Sequence, residues 1–377
     1  LEILIKTLQG LETCLAEEVR ALGGTQVKVL NRAVSCDGNL AFIYRANYAL
    51  RTALRILVPI ATFRAKNQHA FEKALQSIDW SDHLSIRQTF AIDDSIAGNA
   101  TLRHSKFAAL KVKDSIADFF MEKKGRRPSV DVKNPNVLFN LHGSQDQYTL
   151  SIDSSGKPLN QRGYRQSGHQ ATLNEVLAAG MLKIARWDTQ QVFMDPMCGS
   201  GTLAIEAAML AQNLPAQILR SEFGFMNWDN FNAILWNRVK AEVQNEKKRT
   251  RVKIYASDHH PAAIKMIKAS ARALRLASGF EIDQKDFLKM APPAHSGMLI
   301  SNPPYGKRLG GDEINDFYKL MGDKLKQDFS GWDAWMISSN VKALKALRLR
   351  PSEKVSLFNG SLDCQYCHYE MYEGSRD

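Results

Sequence analysis

Apolar and polar residues alternate through Leu1-Glu2-Ile3-Leu4-Ile5-Lys6, and a period of two predicts a half-buried strand over residues 1–7. Leu11, Leu15, Val19 and Leu22 then recur at helical spacing until Gly23-Gly24 ends the helix. Residues 27–30 and the segment around Val34 read as short paired strands. Leu40, Ile43, Tyr44, Tyr48, Ala49, Leu54 and Ile56 predict helix and then strand, with Pro59 closing a small α+β unit. A second unit follows at about 60–165. Phe71, Ala74, Leu75 and Ile78 form one helical face, residues 88–92 a strand, residues 107–120 an amphipathic helix, and residues 136–142 and 147–153 two strands.

The Ser-, Gly- and Arg-rich stretch 154–170 reads as a domain boundary. Leu173, Val176, Leu177, Gly180, Met181 and Ile184 then mark the buried side of a helix. From Val192 onward strands (191–194, 252–257, 279–283, 297–301, 332–338) alternate with helices (201–212, 261–277, 314–329). That rhythm predicts an α/β fold with a doubly wound parallel sheet, closed by two strands near 353–358 and 363–372. Residues 213–250 interrupt it with Phe223, Phe225, Trp228, Phe231 and Trp236. Such a cluster could stack bases, but packing of an inserted helix on the sheet is the favoured expectation.

With 377 residues, 44% hydrophobic and 24% charged, the chain has room for two or three ordinary cores. It contains no uncharged apolar stretch of the roughly 18 residues that a membrane span needs. Nor does it open on a signal peptide, so a cytoplasmic protein is expected. The net charge of +11 fits either solubility alone or, on the sharper reading, a polyanionic partner. Residues 1–165 hold 23 Lys and Arg against 16 Asp and Glu, and residues 166–377 hold 27 against 23, so the excess leans to the N-terminal part. Lys106, Lys111 and Lys113 with Lys123, Lys124, Arg126 and Arg127 make a candidate phosphate-binding face; the competing reading is an ordinary solvated helix end. Cys14, Cys36, Cys198, Cys364 and Cys367 are odd in number and scattered, as in a reducing compartment. Cys364-Gln365-Tyr366-Cys367 has no second pair and reads as a coincidence on a strand. No metal site is expected.

Two motifs carry chemistry. Asp195-Pro196-Met197-Cys198-Gly199-Ser200-Gly201-Thr202 joins a strand to a helix, where glycines permit a tight turn and close approach of a ligand. It lacks the third glycine of a dinucleotide site and the lysine of a P-loop. The Asp195 carboxylate would repel a pyrophosphate and suits a cationic ligand such as S-adenosylmethionine, which has a sulfonium, an ammonium and no phosphate. Asp258, after the next strand, is placed to accept from ribose hydroxyls, and Asp286, after the third, from an adenine amine. For each acid alone a capping role is equally good. Further on, Asn302-Pro303-Pro304-Tyr305-Gly306 follows the mostly apolar run Met298-Leu299-Ile300-Ser301. Its prolines stiffen the turn, so the Asn302 carboxamide and Pro303 carbonyl become two fixed acceptors for an exocyclic amine, with Tyr305 available to stack on the base. That pattern points to methyl transfer onto a nucleobase amino group.

With these motifs in place the chain resembles, over nearly its whole length, the THUMP-domain RNA methyltransferases. It is similar above all to bacterial enzymes forming N2-methylguanosine in 23S ribosomal RNA and to relatives once named N6-adenine DNA methylases. The resemblance implies a ferredoxin-like unit at 1–58, a THUMP domain at 59–160 and a Rossmann-like methyltransferase domain with a seven-stranded sheet at 170–377. Arg162-Gly163-Tyr164-Arg165 and Ala171-Thr172-Leu173-Asn174-Glu175 match the family segment before the catalytic core. The likeness implies that Thr172 and Asn174 touch the cofactor, alongside Asp195, Cys198, Gly199, Gly201, Thr202, Asp258, Asp286 and Asn302. Structured RNA, ribosomal above all, is the implied partner, and guanine N2 the implied target. N6-adenine methylation, or a catalytically weak RNA-binding assembly factor, are the alternatives.

Overall fold

The computed structural model describes residues 1–97, 105–165, 173–276, 279–305 and 311–372. The first unit comprises β1 (Glu2–Lys6), α1 (Glu12–Ala21), β2 (Thr25–Leu30), β3 (Ala33–Asp37), α2 (Leu40–Ala49) and β4 (Arg55–Arg64). The second continues with α3 (Gln68–Gln76), β5 (Thr89–Ala97), α4 (Ser105–Lys124), β6 (Ser129–Val130), β7 (Val137–Ser144) and β8 (Gln147–Asp153). Local chemistry sets the helix starts: Asn39 and Asn67 place side-chain oxygens on the free N–H groups of the first turns of α2 and α3.

These two units share one eight-stranded sheet, in the order β2-β3-β1-β4-β8-β7-β5-β6. Strand β4 joins them, pairing with β1 through Arg55–Leu57 and with β8 as far as Arg64. Pro59, expected to close the first unit, lies inside this strand. The register shifts between Pro59 and Ala61, and a residue without an N–H is tolerated at such an irregularity.

The Ser-rich stretch after β8 is not a loose linker. Ser154 and Ser155 are fully buried. The Ser155 hydroxyl donates to Asn47 Oδ1 and accepts from the Ile56 N–H, while Ser154 Oγ donates to the Ile56 carbonyl. Composition alone does not reveal that these hydroxyls have partners far along the chain.

The third unit runs α5 (Glu175–Ile184), β9 (Phe193–Asp195), α6 (Thr202–Ala211), α7 (Ala233–Asn245), β10 (Ile254–Asp258), α8 (Pro261–Ala273), β11 (Phe280–Gln284), β12 (Gly297–Ser301), α9 (Gly311–Asp328), β13 (Trp332–Ser338), α10 (Val341–Ala346), β14 (Glu353–Asn359) and β15 (Leu362–Glu370). Its seven strands are ordered β11-β10-β9-β12-β13-β15-β14. The first five are parallel; β15 is antiparallel to both β13 and β14, so the sheet is mixed. Helices α5, α6 and α8 cover one face, and α9 and α10 the other. Cys364 and Cys367, three residues apart on β15, fall into the cores on opposite faces and cannot share a ligand.

Leu214 of the 213–250 insertion packs into the core of the seven-stranded sheet, but the aromatic residues of the insertion do not. Phe223, Phe225 and Trp236 join Tyr44 and Tyr48 of α2 in one buried cluster, with Trp236 edge-on to Tyr48 at 5.5 Å. Elsewhere Leu11 touches α5 so closely that a Cβ on Gly180 would lie 2.4 Å from it. The N-terminal and C-terminal halves therefore share core.

Candidate active site

Parallel neighbours β9 and β12 place Phe193 opposite Met298 and Met194 opposite Leu299. The loops that follow them open on the same rim. Strand order reverses here, toward β10 and β11 on one side and β13 on the other, which is where open α/β sheets form their ligand crevice. Glycine loop and Asn-Pro-Pro-Tyr turn stand side by side.

The glycine loop is tied to the end of β10. Cys198 N–H donates to the Ser257 carbonyl and Gly199 N–H to Asp258 Oδ2, each at 2.9 Å. Asp258 Oδ1 accepts a second backbone bond, from His260 at 2.9 Å. Gly199 has a φ of 52° and open space where a Cβ would stand. Gly201, at φ 82°, serves packing instead, because a Cβ there would lie 2.3 Å from Ile267 of α8. The Cys198 thiol is buried, which pushes its pKa well above the ordinary range, so it is no nucleophile.

Asp195 ends β9 as a buried side chain with the Ser301 hydroxyl beside it. Its Oδ1 has no hydrogen-bond partner among the described residues. Burial pushes its pKa up to about 8, against the opposing pull of the Met197 N–H. Burial thus favours the neutral acid in the free protein, and a cation arriving beside it would favour the carboxylate expected from sequence. The folded-state value exceeds the unfolded value of roughly 4, so stability contributed by the neutral acid is present at low pH and lost as pH rises toward 8. Asp195→Asn should flatten the fall of melting temperature between pH 5 and 8.5. Parallel wild-type and variant profiles in scanning calorimetry would show that Asp195 does not titrate this way.

Other expected cofactor residues have local duties. Asn174 caps α5, accepting from Val176 and Leu177 N–H, and Thr172 lies outside the described residues. Asp286 caps the short turn at Phe287–Lys289. Thr202 Oγ1, at the start of α6, accepts from Arg165 at 2.6 Å, and Arg165 pairs with Glu175 at 3.1 Å. Behind it the buried Arg162–Glu206 pair (3.2 Å) ties the preceding segment to α6, and Arg162 also donates to the Arg51 carbonyl. Arg165 and Ser301 had no role from sequence. The signal for Ser301 was present: a hydroxyl ending an otherwise apolar strand.

Tyr305 does more than offer a ring. Its hydroxyl donates to Asn302 Oδ1, and the ring packs against the catalytic core near Cys364. A carboxamide oxygen has two lone pairs, so one stays available at Asn302.

On α4, Ala108, Val112, Ile116 and Phe120 form the buried stripe. Two of the candidate phosphate-binding cations are engaged: Lys111 with Glu72 at 2.7 Å and Lys123 with Asp79 at 3.1 Å. Lys106, Lys113 and Lys124 share one helix face, at spacings of about two and three turns. Lys106, Lys124, Arg126 and Arg127 are exposed, and Lys113 is half-buried.

The unpartnered Asp195 oxygen, the open space at Gly199 and the acid ending β10 fit a ligand with ammonium and hydroxyl groups and no phosphate. The chain is a methyltransferase that uses S-adenosylmethionine, as its family match and a similar structure solved with S-adenosylhomocysteine show. More particularly, the chain belongs to the RMKL-like methyltransferase family, whose domain profile matches residues 162–368. Residues 2–57 match the RlmL ferredoxin-like domain and residues 65–153 the THUMP domain.

Among relatives, slr0064 of Synechocystis, named as a candidate RNA methyltransferase, is 36% identical over 97% of this chain and 95% of its own. A ribosomal RNA large subunit methyltransferase K/L of Shewanella frigidimarina is also 36% identical over 97% of this chain. Only 52% of that protein is covered, so this chain spans about half its length. The structure of SMU.472, a candidate methyltransferase complexed with S-adenosylhomocysteine, superposes with a TM-score of 0.89 at 25% identity over 99% of both chains. A candidate N6-adenine-specific DNA methylase from Listeria monocytogenes gives 0.87 at 26% identity, over 98% of this chain and 96% of its own. No described helix is long and apolar enough to cross a membrane.

Proposed function

We propose that this chain methylates the exocyclic N2 of a guanine in large-subunit ribosomal RNA. The observation that carries the reading is the pairing of an Asn-Pro-Pro-Tyr turn with a glycine loop at the switch point of one sheet. Asn302 Oδ1 and the Pro303 carbonyl accept from the two N–H groups of an amine. Held in that plane, the nitrogen lone pair is directed away from both acceptors and into the crevice. Alignment of this kind contributes more here than a strong base. When bound, S-adenosylmethionine supplies a sulfonium-activated methyl group; the amine gives up one proton to water. Gly199 and Asp258 hold the nucleoside end of that cofactor and Asp195 its ammonium end.

An RNA substrate is favoured by the match to a THUMP domain and by the names of the relatives. Lys106, Lys113, Lys124, Arg126 and Arg127 would neutralise phosphates while an extruded base enters the crevice. Adenine N6 offers the same kind of amine, and the Listeria neighbour is named for that chemistry. The two readings separate in cells. Mass spectrometry of ribosomal RNA nucleosides from a deletion strain should show loss of N2-methylguanosine with N6-methyladenosine unchanged; the reverse would replace guanine with adenine.

A further inference from the structure

Pro303 and Pro304 stiffen the catalytic turn, but neither has an N–H with which to anchor it. Its anchors come from other elements. Tyr318, buried on α9, places its hydroxyl 3.2 Å from both the Pro304 carbonyl and Ser338 Oγ. Ser338 ends β13, and its Oγ accepts from the Asn340 N–H at 3.1 Å. Asn340 is itself held, because its Oδ1 caps α10 at the Ala343 N–H, 3.0 Å away. Its Nδ2 donates to the Tyr305 carbonyl at 3.5 Å.

One phenolic proton cannot serve two acceptors at full strength. Tyr318 is the donor in both contacts, so its proton is shared between the Pro304 carbonyl and Ser338 Oγ, and Ser338 Oγ also accepts from the Asn340 N–H. Fixing the Pro304 carbonyl fixes the peptide plane leading into Tyr305. The Tyr305 hydroxyl in turn holds Asn302 Oδ1.

We propose that Tyr318 is a positioning residue for Asn302, and that the Tyr318–Ser338–Asn340 chain sets the direction in which the catalytic carboxamide points. The inference rests on Asn302 being the amine acceptor of the proposed reaction. It adds that the carboxamide is aimed from β13 and α9, elements that contribute no atom to the acceptor pair.

The test is single-turnover transfer from radiolabelled S-adenosylmethionine to protein-free, unmodified 23S ribosomal RNA. Tyr318→Phe keeps the buried ring and removes only the hydroxyl. It should slow transfer about tenfold, the effect of one lost hydrogen bond. Affinity for S-adenosylmethionine and for RNA should stay within about twofold. In an Asn302→Ala background, Tyr318→Phe should cause no further loss, since it acts through that residue. Unchanged transfer in Tyr318→Phe, a multiplicative loss in the double variant, or an equal loss of cofactor affinity would each overturn the inference. If Asn302→Ala is severely impaired and Tyr318→Phe is not, only the positioning role falls; if Asn302→Ala is fully active, the proposed reaction falls with it.

Discussion

Replacing Asn302 by alanine should lower turnover about 10²–10³-fold while affinity for S-adenosylmethionine stays within about twofold. That magnitude is typical for loss of one oriented polar group in a water-poor site. The split between turnover and affinity follows from placement. Asn302 lies on the loop after β12, whereas the backbone that Gly199 and Asp258 organise lies on β9 and β10. Alanine also removes the Asn302 oxygen to which the Tyr305 hydroxyl donates, so part of the loss comes from loosening of the turn. Single-turnover rates with calorimetry of cofactor binding check the expectation. Normal turnover would remove Asn302 from the chemistry.

The second large effect concerns RNA. Exchanging Lys106, Lys113, Lys124, Arg126 and Arg127 together for glutamine should reduce the salt dependence of binding. With about 0.7–0.9 counterions released per phosphate contact, the slope of log K against log salt should fall in magnitude by about 4. At moderate salt the loss of affinity should reach at least about a hundredfold. Lys111→Gln and Lys123→Gln should do much less, since those ammonium groups already face Glu72 and Asp79. Filter binding across a salt series measures both. An unchanged slope would move the RNA surface elsewhere. Point changes suit this question better than removing the N-terminal half. Arg51 donates into the catalytic unit at the Met209 and Leu214 carbonyls, and its loss would leave the Leu214 carbonyl without that donor.

Much of the catalytic unit is legible in the sequence because parallel strands buried on both faces are short apolar runs, as at Met298-Leu299-Ile300. Gly199 and Gly201 are legible for a related reason, since few other residues tolerate the positive φ they adopt, and the two prolines because their rings fix φ and stiffen the turn. What stays hidden depends on partners distant in the chain. Nothing local to Pro59 reveals that β4 bridges two units into one sheet. Nothing near Trp236 says that its neighbours are Tyr44 and Tyr48. Ser154 and Ser155 look like linker residues until Asn47 and Ile56 are seen beside them. Charge is the hardest to read: Asp195 looks like an ordinary carboxylate, but burial at the end of β9 raises its pKa to about 8. The Tyr305 hydroxyl finds Asn302 three residues back, and spacing alone does not distinguish that from a ring free to stack on a base.

The most direct measurement is nucleoside mass spectrometry of unmodified 23S ribosomal RNA after incubation with the purified chain and isotopically labelled S-adenosylmethionine. The label should appear in N2-methylguanosine, at a single site, and should vanish when Asn302 is alanine. Label in any other nucleoside, or none with a protein that binds both RNA and cofactor, would contradict guanine N2 as the acceptor.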